Sequence, residues 1–134
     1  MRMTAMFAAG GLMCACTLSQ PPPIAPPEPI ICMAGSDCDA KWSRAASWLA
    51  ANSTLKIATR TDSIIQTTAP VQAEATPAYT VTKVARGEGR YEITFNAACG
   101  TGSRCIPPIN EARARFTEAV LGDQGSRVSS QQSR

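Results

Sequence analysis

The chain has 134 residues, a formal charge of +3 and only 5% aromatic residues. That length holds one small domain, whose core must rely on Ala, Ile, Val and Leu. The basic residues are scattered, with no run and no stacking aromatics among them, so nothing favours a nucleic-acid partner. The absence of histidine removes the commonest general base and any Cys-His or Ser-His pair.

The N-terminus has the three parts of a secretory signal. Arg2 supplies the positive start, residues 3–13 are apolar or small, and Ala15 is a small residue at a cleavage position. The apolar run is shorter than the roughly 20 residues that a membrane-spanning helix needs. Met13-Cys14-Ala15-Cys16 closes this run and resembles the lipobox of bacterial lipoproteins, in which an aliphatic and two small residues precede the lipidated cysteine. The resemblance implies that residues 1–15 are removed, Cys14 with them, and that Cys16 carries lipid, palmitate included. Thr17, in place of an aspartate, implies sorting to the outer membrane on its periplasmic side. The alternative is an ordinary signal peptide, which would make the product a soluble secreted or periplasmic protein with enzymatic or redox activity.

Residues 16–31 follow as lipidated cysteine and tether. Pro21, Pro22, Pro23, Pro26, Pro27 and Pro29 forbid a helix or a central strand and favour extended polyproline II. At about 3.1 Å per residue the segment reaches roughly 40 Å. A ligand for a proline-binding module is the sharper reading of these prolines, and a semi-rigid spacer is the preferred one.

Residues 32–122 are expected to form the folded domain. Capping by Ser36 or Asp37, with Asp39 in the first turn, predicts a helix over 37–51. Its apolar face carries Cys38, Trp42, Ala45, Ala46 and Leu49, with Trp48 on the flank. Alternation predicts strands over 55–59 and 64–67, separated by Thr61-Asp62-Ser63, and two more over 79–84 and 91–95 joined by Gly87-Glu88-Gly89. Pro107 and Pro108 fit a helix start. Ile109, Ala112, Phe116, Ala119 and Val120 make that helix's apolar face, Glu111 and Arg115 form an i,i+4 pair, and Gly122 caps the end. The polar residues 123–134 read as a disordered tail.

Four cysteines remain for the mature domain: Cys32, Cys38, Cys99 and Cys105. Behind a secretion signal they read as two disulfides in an oxidising compartment. A zinc site is the rival, weakened by the loose spacing and the lack of histidine. Local pairing would close two loops of about seven residues, worth roughly 2–2.5 kcal/mol each. Cross-pairing would close about seventy residues for roughly 4–4.5 kcal/mol. Proximity and the glycines of the second loop favour Cys99 with Cys105, and Cys32 with Cys38 by the same logic. That glycine loop lacks the ending of a phosphate-binding loop.

Helix, four antiparallel strands, helix predicts an α+β two-layer domain. This element order resembles small TATA-box-binding-protein-like domains. Cys38-Asp39-Ala40-Lys41-Trp42-Ser43-Arg44-Ala45, with Cys99 and Cys105, is similar to small proteobacterial lipoproteins, a resemblance that implies no catalytic residues. The expectation is a non-catalytic envelope lipoprotein. It would be held to the membrane by its N-terminal lipid, bind an envelope protein or peptidoglycan, and use no cofactor and no metal. A two-carboxylate hydrolase would need acids that meet in space. Exchangeable disulfides would lack the usual Cys-x-x-Cys.

Overall fold

The structure, a computed structural model, describes residues 28–122. The signal, Cys14, Cys16, residues 17–27 of the tether and the tail at 123–134 lie outside the described residues.

Strands β1 (Ile30–Met33), β2 (Ile57–Arg60), β3 (Ile64–Thr67), β4 (Ala78–Gly87) and β5 (Arg90–Ala98) form one antiparallel sheet in the order β1-β5-β4-β3-β2. Helices α1 (Ser36–Asn52) and α2 (Ile109–Leu121) pack together with its inner face. The class is α+β.

The alternation that marks a half-buried strand does the sorting. Tyr79 and Val81 on β4, Ile93 and Phe95 on β5, and Ile65 on β3 are buried against the helices. Thr80, Thr82 and Thr94 take the other face, where the Thr82 and Thr94 hydroxyls hydrogen-bond. From the helices come Ala45, Ala46 and Leu49, and Ala112, Phe116 and Val120, all buried. A fully buried side chain of the size of Leu or Phe contributes about 1.5–3 kcal/mol. The β4–β5 hairpin closes through Glu88 (φ 54°) and Gly89 (φ 72°). Two central residues with positive φ are what a right-twisted two-residue hairpin requires.

The expectation of four strands is corrected to five. Ile30 and Ile31, assigned to the tether, belong with Cys32 and Met33 to edge strand β1, which pairs with β5 from Ile30 opposite Ile93 to Met33 opposite Arg90. The element order therefore begins with a strand, and the TATA-box-binding-protein-like order does not hold. The four residues of β1 are too few to show a period, and the strand depends on what lies beside it. α1 also differs at its start. Its N-cap is Gly35 (φ 94°), which has no side chain to cap with, and the Asp37 carboxylate, inside the helix, accepts from the Met33 N–H instead. Strand β2 starts at Ile57, so Leu55 stays outside the sheet, and an irregularity lies between Ile57 and Thr59.

Candidate functional site

Two corners of the domain carry its unusual chemistry. At the first, Cys32 on β1 and Cys38 in the first turn of α1 are disulfide-bonded, with Cα atoms 4.9 Å apart. The bond closes a tight strand-to-helix corner and turns α1 back over the free edge of β1. Asp37 then accepts a hydrogen bond from the Met33 N–H at 2.8 Å. Lys41, one turn later, is buried and donates to the Ile31 carbonyl at 3.0 Å and to Asp37 at 2.9 Å. One carbonyl and one N–H on the outward edge of β1 are thereby occupied by side chains. That is one way a protein blunts an edge that another chain could pair with. The Met33 hydrogen bond, then Lys41, hold the Asp37 carboxyl below its usual pKa. Beside this corner the Lys83 ammonium lies 5.0 Å from the Trp42 ring centre and 5.8 Å from that of Tyr91, and the Trp42 indole N–H donates to the Thr61 carbonyl.

The second corner lies where the end of α1 meets the start of α2. Trp48 is at the centre of an aromatic cluster rather than on the flank of the core. Its ring sits edge-on to Tyr79, Phe95 and Phe116, with centroids 5.4, 5.7 and 5.5 Å away. Phe95 and Phe116 stack at 4.6 Å. Edge-to-face pairs of this kind contribute about 0.5–1.5 kcal/mol beyond area burial. The cluster opens into a groove of about 410 Å³ bordered by Trp48, Asn52, Tyr79, Ile106, Pro107 and Arg115.

The loop that leads into Ile106 is crosslinked by Cys99–Cys105, with Cα atoms 5.5 Å apart. It is also seated on the 69–77 segment, through Gly100 N–H to the Glu74 carbonyl and Ile106 N–H to the Ala75 carbonyl. Gly100 is buried so tightly that a Cβ there would lie 2.8 Å from the Ala73 and Glu74 nitrogens and closer still to the Val71 carbonyl oxygen. The Ile106–Pro107 peptide bond is cis. Ile106 is 73% exposed at the lip of the groove. α2 begins behind Pro108, which offers no side-chain cap. Glu111 and Arg115 pair along the rim.

Tyr79 is the polar group inside. The residue is 1% exposed, and burial alone raises its pKa, with no hydrogen bond contributing. No buried side-chain nitrogen or oxygen among the described residues lacks a partner. Tyr79 also lines the groove beside Trp48.

The four cysteines read from the sequence thus form two local pairs, which leaves none of these sulfurs to hold zinc. Cys32 and Cys38 are 1% and 3% exposed, which suits a structural crosslink better than an exchanging one. Three acids of the domain are tied to separate bases: Asp37 to Lys41, Glu88 to Arg90 and Glu92 to Arg86. Lys41 and the groove were not foreseen. The nearest available signal was the i,i+4 spacing of Asp37 and Lys41. The chain matches no family model, no curated protein and no solved structure.

Proposed function

We propose that this chain is a lipid-anchored module of the bacterial cell envelope that works by binding an envelope protein or peptidoglycan rather than by catalysis. In this reading Cys16 carries the lipid, residues 16–29 tether the domain at the periplasmic side of the outer membrane, and the domain meets its partner there.

The pair of disulfides is the observation that carries the reading. A small domain with limited core gains from crosslinks, and bonds between thiols persist where the compartment is oxidising. A lipobox-like N-terminus delivers a protein to such a compartment. The open groove beside Trp48 and Tyr79 supports a binding role, being concave and lined by rings and apolar side chains together with the polar groups of Asn52, Glu111 and Arg115.

The mature N-terminus decides the anchor. Its mass should correspond to a chain starting at acylated Cys16. An unmodified N-terminus elsewhere would remove the lipoprotein reading. Crosslinking in cells, followed by identification of the captured species, should then return an envelope component.

A further inference from the structure

The end of β1 leaves a step in the sheet. β1 pairs with β5 only as far as Ile30 opposite Ile93, whereas β5 runs on beside β4 to Ala98. Successive residues of a strand turn their backbone bonds to opposite sides. On β4, the Tyr79 N–H donates to the Thr67 hydroxyl and the Lys83 N–H to the Ser63 carbonyl, both on the β3 side. Thr80 and Thr82 therefore face β5, and their partners Asn96 and Thr94 face back toward β4. The backbone groups of Phe95 and Ala97 point the other way, to the side where β1 has ended. β1 gives the same answer. Its Ile31 carbonyl and Met33 N–H point outward to Lys41 and Asp37, so Ile30 bonds inward to Ile93. Among the described residues no backbone hydrogen bond reaches the N–H or carbonyl of Phe95 or Ala97 on the open side.

This edge has a definite complement. Over residues 94–98, about 17 Å of strand, it presents a donor and an acceptor at every second residue. An extended polypeptide backbone matches that alternation. The chain's own upstream segment does not. In the line of β1 the residues that would face β5 are Glu28, Pro26, Ile24 and Pro22. Proline has no N–H to give, and Glu28 makes no strand pair. The open stretch is bounded by the departing chain at Pro29 and by the crosslinked loop at Cys99. Those limits suit a short extended peptide better than the edge of a second folded sheet. Side chains directly opposite on neighbouring strands share a face. The added residue opposite Phe95 thus turns toward the helices. There a pocket of about 240 Å³ lies between Ile30, Ile93 and Phe95 of the sheet and Arg113 and Thr117 of α2. Its apolar side suits an apolar side chain.

We infer that β5 accepts an extended peptide segment of a partner protein as an added strand at Phe95 and Ala97, with an apolar side chain of that segment seated in the pocket beside α2. The inference rests on the binding role proposed above and names its mode. It does not depend on the lipid: the N-terminal mass and strand addition succeed or fail separately.

The test uses the full chain, isotopically labelled and purified in detergent with both disulfides intact. Amide hydrogen exchange is followed residue by residue by NMR. In the free chain the Phe95 and Ala97 amides should exchange at least about a hundredfold faster than those of Thr94 and Asn96, which bond to β4. The probes are two capped heptapeptides, one alternating valine with threonine and one alternating leucine with threonine. At about millimolar concentration at least one should slow exchange at Phe95 and Ala97 about tenfold, the factor expected when the edge is covered nine-tenths of the time. Methylating the backbone nitrogens of that peptide's apolar residues, which face β5, should weaken binding about tenfold or more. Methylating those of its threonines, which face away, should cost little. Ala97→Pro removes an N–H outside the β4–β5 ladder, so it should fold with an unchanged near-ultraviolet circular dichroism spectrum and lose the peptide. The proposal is overturned if Phe95 and Ala97 are already protected in the free chain, by its own tether or by a second copy. It is overturned equally if neither peptide protects them, if the two methylated peptides bind alike, or if folded Ala97→Pro binds as well as the unsubstituted chain.

Discussion

Replacing Lys41 tests how the first corner of the domain is held. Its ammonium is buried and spans 3.0 Å to the Ile31 carbonyl and 2.9 Å to Asp37. Lys41→Met keeps the length and the apolar stem and removes both charge-assisted bonds. Hydrogen bonds to charged groups contribute about 1.5–3 kcal/mol each where both partners are sheltered. Asp37 is 42% exposed and regains water once its partner is gone, so the two losses together should come to about 2 kcal/mol. For a domain of this size that lowers the thermal midpoint by about 8–16 °C.

The same corner should show in the pH dependence of stability. The Asp37 pKa is lowered in the fold, first by the Met33 N–H and then by Lys41. A carboxyl with a depressed native pKa binds fewer protons folded than unfolded. Its contribution is present above the unfolded value, about 3.9, and fades as pH falls through the lower native value. Lys41→Met should weaken this acid-side loss without abolishing it, because the Met33 bond remains. Asp37→Ala should abolish it. Thermal melts of the three proteins between pH 2 and 7, with disulfides intact, give the answer. Full stability in Lys41→Met at neutral pH would refute the edge-capping role of this lysine.

Gly100→Ala should destabilise by about 1–3 kcal/mol, the usual cost of forcing atoms into a packed site, since the new methyl meets backbone of the 69–77 segment; denaturant unfolding measures it. On the alkaline side Tyr79 has the opposite sign to Asp37. Its raised pKa means that the unfolded chain loses the phenolic proton first, so stability holds below about pH 10 and falls as pH rises toward the native value. Tyr79→Phe should lack that component of the alkaline loss in melts between pH 9 and 11, while its stability at pH 7 stays close to that of the unsubstituted chain.

Local physics was enough for most of the elements. The apolar face of α2 announces itself at helical spacing, and its end falls at Gly122 as expected. The β4–β5 hairpin follows from alternation on either side of Gly87-Glu88-Gly89. The two cysteine pairs are close in sequence, so short loops brought them together. Each of these depends on residues within a few positions of one another.

What escaped such reading depends on contacts between distant residues. β1 exists because β5, about sixty residues away, offers it a register and because α1 turns Asp37 and Lys41 onto its outer edge. No period can appear in four residues, so Ile30 and Ile31 looked like the end of a tether. Trp48 lay at the margin of a helical wheel, yet Tyr79, Phe95 and Phe116 converge on it from a strand pair and a second helix. Gly100 read only as one of the glycines that let the Cys99–Cys105 loop close, and its lack of a side chain is required by the backbone of the 69–77 segment. The groove has no sequence signature at all. It is the space left where α1, β4, residues 106–108 and the start of α2 come together beside Trp48 and Tyr79, and only their packing determines its shape.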